Sequence, residues 1–331
     1  MTRATLAESL RDAESAPSSP APSTLGNAVS NPPSPSPCTQ EEGWSGRSAA
    51  PANRGRLNLE SLTKRFGSSH AAAIDNVTLR LSPGEFVVVV GPSGCGKTTL
   101  LNLAAGMIAP DKGRVELDGQ SVRGPGPDRA VVFQDHALFP WLTAAQNVEF
   151  GLKMAGVAAA ERRHRVEQAL AMVHLPRSGG KLVHELSGGM RQRIAIARAL
   201  VMDPAVLLMD EPFAALDAQT RTLLHRQLQD LWMQTRKSVL FVTHSVGEAV
   251  RLADRIIVLH AQPGRIRAEI AIDLPHPRQP DSPYMSELVR RVRKEIEDEV
   301  NRVNAQMAQD DWKPAAVDDL GGASGGMGDG I

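Results

Sequence analysis

FVVVVGPSGCGKTT, Phe86 to Thr99, is the stretch that decides the fold. Five apolar residues, Phe86–Val90, suit a strand buried on both faces and are too few for a helix. A glycine-rich loop follows, and then an apolar helical pattern from Leu100. Strand, G-x-x-x-x-G-K-T loop and helix in that order make a phosphate-binding P-loop. Glycines at 91, 94 and 96 let the backbone curl so that several N–H groups point at one anion. Left-handed angles there favour glycine, and side chains would collide with the phosphates. Lys97 brings a point charge to the outer phosphates, and the Thr98 hydroxyl is placed to hold Mg²⁺. The helix N-terminus adds its own partial positive charge. The candidate contacts are Gly91, Ser93, Gly94, Cys95, Gly96, Lys97, Thr98 and Thr99, and the expected ligand is a nucleoside triphosphate. Cys95 reads either as a small residue that fits the loop or as a thiol whose oxidation blocks nucleotide entry.

The 331 residues leave room for one large α/β domain or two ordinary ones. Lys+Arg and Asp+Glu are both 37, a balance that argues against holding nucleic acid by bulk charge. No run approaches the roughly 20 apolar residues that cross a bilayer. The first residues lack the apolar core of a secretory signal, so a chain that stays in the cytosol is expected. One cysteine, Cys38, falls in a probable tail and the other, Cys95, in the loop, so no structural disulfide is expected.

Residues 1–55 are rich in Ser, Pro, Ala and Gly and cannot bury enough apolar surface to offset their ordering entropy. They read as a disordered tail, as do the Gly-rich residues 310–331. Between the tails, buried-strand runs occur at Phe86–Val90, Arg129–Phe133, Val206–Met209, Val239–Val242 and Ile256–Leu259. Helical patterns alternate with them, at Leu100–Gly106, Arg191–Val201, Gln219–Gln234 and Val246–Ala253. That alternation predicts an α/β fold with a mainly parallel core sheet. Leu57–Leu81 alternates like antiparallel strands half-buried on one side. Trp141–His184 has helical spacing and no strand run, which predicts an inserted helical subdomain at about 135–200. Near the end, Ser282 offers an N-cap and Pro283 a first-turn proline. Leu288, Val292, Ile296 and Val300 then mark an amphipathic helix in the segment 276–309, packed on the domain or turned to a partner.

VLLMDEP, Val206 to Pro212, is an apolar strand that ends in two carboxylates. In a parallel sheet that end lies beside the P-loop. Asp210 is then placed to hold Mg²⁺, and Glu211 to act as general base for, or to orient, the water that attacks the γ-phosphate. LSGGMRQR, Leu186 to Arg193, leads into a helix and makes a second anion-binding N-terminus. One nucleotide rarely needs two cradles, so this one is expected to serve the ATP of a second copy.

Together these motifs resemble the ATP-binding subunits of ABC (ATP-binding cassette) transporters. The resemblance runs from about Leu57 to Leu274 and includes Gln134 in VVFQDHALFPW, ALD at 215–217 and VTH ending at His244. It implies a P-loop ABC ATPase fold, residues 56–275, with an antiparallel β subdomain and the helical insertion. It also implies a head-to-tail homodimer with ATP and Mg²⁺ between the P-loop of one copy and the signature of the other. On that resemblance Ser187, Gly188 and Gly189 contact the γ-phosphate across the interface, and Gln134 senses Mg²⁺ and links the site to a membrane partner. Asp217 braces the dimer, and His244 bonds the γ-phosphate and keeps the water in place. Phe66 matches the aromatic that stacks on adenine, against a plain core role. Two positions depart from the usual pattern: Ser245 stands where Asp is frequent, and Ala214 where Ser is usual.

The Pro140-Trp141 pair, DEPFAALDAQTR and the ending AQPGRIRAEIAIDLPHPR are similar to the importers of nitrate, aliphatic sulfonates and taurine. Trp141 is read as an anchor for a permease helix or as a residue packed under the insertion. The implied partners are two integral membrane permease subunits and, indirectly, a periplasmic solute-binding protein, with the chain peripheral on the cytoplasmic face. No partner nucleic acid is expected. The alternatives are the ATPase of an exporter or lipid-trafficking complex, and a soluble ABC ATPase. The chain lacks the long coiled-coil arm, the CxxC pairs and the second cassette of many soluble relatives.

Overall fold

Each residue of Phe86–Val90, strand β3, is at most 1% exposed. A strand covered on both faces belongs inside a sheet. It lies between β8 (Ser238–Val242) and β9 (Arg255–Leu259). β7 (Val206–Asp210) and β6 (Arg129–Val132) extend one side, and the antiparallel β10 (Ile266–Ala271) closes the other. The structure is a computed structural model that describes residues 54–67, 72–261, 263–278 and 283–310, with side chains in the final helix to residue 297. The expected tails, apart from residues 54–55 and 310, and the Ser282 cap lie outside the described residues.

Register aligns the functional strand ends. Val89 pairs with Val242, Val242 with Asp210, and Met209 with Val132, all parallel. The carboxyl ends of β3, β8, β7 and β6 therefore form one edge. The end of β7 reaches the loop after β3, as expected, although β8 lies between the two strands.

Successive residues of β3 face opposite layers. Val87 and Val89 meet α1 (Lys97–Ala105) and a second, antiparallel sheet. That sheet has the order β2-β1-β4-β5 and contains β1 (Leu57–Arg65), β2 (Ala72–Leu81), β4 (Lys112–Leu117) and β5 (Gln120–Ser121). Phe86, Val88 and Val90 face the layer of α4 (Gly188–Leu200), α5 (Ala218–Thr235) and α6 (Val246–Leu252). Phe86 meets Trp232 edge-on, with ring centroids 5.8 Å apart.

The insertion contains α2 (Ala144–Met154) and α3 (Ala159–Met172). α2 opens with a reciprocal cap: Gln146 N donates to Thr143 Oγ1 at 3.2 Å, and Thr143 N donates to Gln146 Oε1 at 2.9 Å. The terminal helix α7 (Pro283–Asp310) packs on the domain through buried Met285 and Val292 and runs along α6. Upstream of it, Arg278 is buried. That guanidinium is 5% exposed and donates to the carbonyls of Val250, Ala253, Ile272 and Leu274. Val250 and Ala253 lie at the C-terminus of α6, whose last carbonyls have no partner within the helix. Burial lowers the Arg278 guanidinium to about 10. No helix among the described residues is long and apolar enough to cross a membrane.

Candidate nucleotide site

The loop after β3 is shaped by two different glycine requirements. Gly94 and Gly96 have φ of 77° and 94°, the left-handed region where a side chain is strained. A Cβ on Gly96 would also lie 2.6 Å from the Ala73 carbonyl oxygen on β2. Gly91 departs from the expectation, because its φ is not positive. It is needed for room: its Cβ would lie 2.8 Å from Cys95 Sγ and 3.0 Å from the Leu259 carbonyl oxygen. Cys95 is fully buried, which favours the small-residue reading over an oxidisable gate. Lys97 is also buried, and its Nζ donates to the carbonyls of Gly91 and Pro92, both at 3.0 Å. Ser93, Gly94 and Thr98 are exposed, and Thr99 is half-buried in the first turn of α1.

Thr98, in the first turn of α1, meets Asp210 at the end of β7 although β8 lies between β3 and β7. Thr98 Oγ1 donates to Asp210 Oδ1 at 3.3 Å. Burial pushes the Asp210 carboxyl up, and the Thr98 bond opposes that only in part. Glu211 turns away because its φ is 43°, a left-handed angle held by its N–H bond to Val242 O at 2.9 Å. Its Oε2 lies 2.8 Å from His244 Nδ1. A carboxylate oxygen accepts, so Nδ1 is the donor in this contact.

Behind His244 is a buried network that motif reading missed. Thr243 is 1% exposed, and its hydroxyl donates to Glu248 Oε2 at 2.6 Å. Glu248 is 6% exposed and also lies 3.2 Å from His225 Nε2. Burial alone would raise the Glu248 carboxyl, but the bonds from His225 and Thr243 and the nearby Arg221 hold it below its ordinary range. Ser245 caps α6 by accepting from Glu248 N at 3.3 Å, so the departure from Asp keeps an N-cap. The Ser-x-x-Glu spacing of a capping box was the available signal.

The other candidates lie around this centre. Gln134 is exposed two residues beyond β6, on the same carboxyl edge. Phe66 directly follows β1, is 50% exposed and has Lys64 Nζ 5.8 Å from its ring centroid, so it is not a core residue. Ser187 is the N-cap of α4, with Oγ accepting from Met190 N at 3.3 Å. Gly188 and Gly189 fall inside the helix, a turn earlier than the spacing predicts. The Gly188 carbonyl lies 3.2 Å from His136 Nε2. A Cβ on Gly189 would come within 2.5 Å of Thr220 Cγ2 on α5. Asp217 caps α5, accepting from Gln219 N at 3.1 Å and Thr220 N at 2.9 Å, and these bonds lower its carboxyl. The structure thus gathers Lys97, Thr98, Asp210, Glu211 and His244, while Ser187–Gly189 pack toward His136, Leu216 and Thr220.

Trp141 is 73% exposed on a loop that buried Asn147 holds at both ends. Asn147 Oδ1 accepts from Phe139 N at 2.8 Å, and its Nδ2 donates to the carbonyls of Phe139, Leu142 and Thr143.

The ABC transporter family matches residues 74–214. An uncharacterised ABC transporter ATP-binding protein of Methanocaldococcus jannaschii is 48% identical over 247 residues, 74% of this chain and 92% of that protein. The chain belongs to the ABC transporter ATP-binding proteins. A taurine import ATP-binding protein of Sinorhizobium fredii is 54% identical over 197 residues, 60% of this chain and 74% of that protein. A dimeric ATP-binding cassette, solved in a post-hydrolysis state with ADP and Pi, aligns with TM-score 0.59 and 34% identity over 66% of this chain and 100% of that one. The cassette is thus a P-loop ABC ATPase that binds ATP and couples its hydrolysis to transport.

Proposed function

We propose that this cassette energises import of a small anion, such as nitrate, an aliphatic sulfonate or taurine. In this reading two copies close head to tail on ATP and move two membrane permease subunits. The observation that carries it is the division of the site. Lys97, Thr98, Asp210, Glu211 and His244 converge on one sheet edge, whereas the signature cap at Ser187 packs toward His136, Leu216 and Thr220. A second copy would bring its signature to the first copy's phosphates, and the dimeric relative with ADP and Pi supports this arrangement. The named function of taurine-import relatives supports the solute class.

The donor set suits Mg²⁺. Hard hydroxyl and carboxylate oxygens meet at 3.3 Å, and a cation there would offset the burial that raises Asp210. Thr98 and Asp210 would hold the ion, with Gln134 on the same edge. Mg²⁺, when bound, neutralises charge on the outer phosphates. Gly94, Gly96 and the N-terminus of α1 cradle the phosphates, with Ser93 and Thr99 at the same turn, and Lys97 swings from the loop carbonyls to reach them. Phe66 stacks on the base. Glu211 takes the proton of the attacking water, and His244 orients Glu211 through Nδ1 while Nε2–phosphate contact requires its protonated form. Asp217 braces the seam between copies.

Trp141, on its Asn147-held loop, is the permease anchor, and the cassette works on the cytoplasmic face of the membrane. A solute-binding protein would act only through the permease. Tagged purification from detergent-solubilised native membranes tests the reading. A polytopic partner in equal copies is expected, with taurine or sulfonate uptake lost when the cassette is deleted. Recovery only as a soluble dimer would refute the transport role.

A further inference from the structure

Away from the nucleotide site, a cleft of about 480 Å³ opens between α5, α6 and α7. Arg221, Arg251, Arg290 and Arg293 line it, together with Met285 and Val289. The single acid among its lining residues is Glu248, whose carboxylate is already engaged by Thr243 and His225. Arg290 is partly offset by Glu287 at 2.6 Å, one turn away. Arg221 gives Nη2 to the Leu216 carbonyl at 2.6 Å, and its Nε is buried without a hydrogen bond, 3.9 Å from Glu248. Guanidinium groups outnumber carboxylates among the lining residues, and an anion among them would accept their N–H donors. The planar guanidinium fork matches oxoanions in particular.

We propose that this cleft binds a small oxoanion of the sulfate, sulfonate or phosphate type, and that its occupancy is felt at the catalytic histidine. The connection is short. Glu248 lines the cleft and accepts the Thr243 hydroxyl bond, and the next residue, His244, contacts Glu211. Met285 and Val289 add an apolar wall that favours an anion with a short aliphatic chain. The binding half stands without the transport reading; the coupling half rests on Glu211 and His244 as the catalytic pair.

The test is calorimetric titration of the purified full chain with sodium sulfate and with butanesulfonate at constant ionic strength. Saturating AMP-PNP and Mg²⁺ fill the P-loop beforehand, and failure to bind AMP-PNP would contradict the nucleotide reading instead of the cleft. Saturable binding is expected, tighter for butanesulfonate, and weakened about tenfold or more in Arg290→Ala/Arg293→Ala. Arg290 is 74% exposed in its side chain, so folding should survive. Arg293→Glu alone gives the same loss if the double variant melts differently. With ATP as substrate, butanesulfonate should change kcat of the parent at least about twofold and leave the double variant unmoved. No saturable heat with either probe, or equal affinity in the variants, overturns the site. Binding with unchanged kcat overturns the coupling.

Discussion

Replacing Glu211 with Gln keeps the length and shape of the side chain and removes its capacity to take a proton. The left-handed backbone at φ 43° and its N–H bond to Val242 O at 2.9 Å do not depend on the carboxylate, so the side chain stays aimed as before. Gln Oε1 can still accept from His244 Nδ1, now 2.8 Å away, although a neutral acceptor weakens that bond by about 1 kcal/mol. What disappears is proton transfer, worth about 10²–10⁴-fold in rate, or about 2.7–5.5 kcal/mol of barrier. The substitution leaves the proposed phosphate donors in residues 91–99 and at Ser187–Gly189 untouched, so the loss should fall on kcat. Steady-state ATPase should show that fall with KM for ATP within about threefold of the parent. Light scattering with ATP and Mg²⁺ should show an accumulated dimer. Turnover at the parental rate, with intact folding by thermal melting, would refute Glu211 as the base.

Lys97→Ala should lose most nucleotide binding, measured by fluorescence titration with a labelled ATP analogue; unchanged affinity would contradict the P-loop assignment. Glu248 is held below the ordinary glutamate value of 4.5 by His225 and Thr243, so its contribution to stability is present above that value and fades as pH falls further. Glu248→Gln should therefore melt lower than the parent at neutral pH, with a gap that narrows between about pH 5 and about pH 3; a gap that widens on acidification would show the sign to be wrong. Trp141→Ala should leave the ATPase of the isolated chain unchanged and reduce co-purification of membrane subunits, and full recovery of those subunits would remove Trp141 as the anchor.

Much of the fold was legible because the central strands are buried on both faces. Phe86–Val90 and Val206–Met209 read as uninterrupted apolar runs for that reason. β4 was not legible: Lys112, Gly113 and Arg114 are exposed, and only Val115 and Leu117 of that strand are buried. β10, an edge strand with one fully buried residue, gave equally little signal. Strand order was hidden too, since β8 enters between β3 and β7 after both have been made. At the site, residue types and spacing announced Lys97, Asp210 and Glu211, and the family resemblance added His244. The left-handed turn at Glu211 and the bond from Thr243 to Glu248 depend on the folded backbone and a buried neighbour, which spacing does not report.

Arg278 carries the folding unit beyond its motifs. The motifs stop at His244, and the family likeness fades near Leu274, yet α6 begins just after His244 and its last carbonyls are closed by this guanidinium. A chain cut at Leu274 would leave Val250 O and Ala253 O inside the protein with no donor, at about 1–3 kcal/mol each. A chain ending past residue 278 would keep them satisfied. The loop that presents His244 is thus anchored from downstream, and a minimal cassette trimmed to its motifs would lose that support.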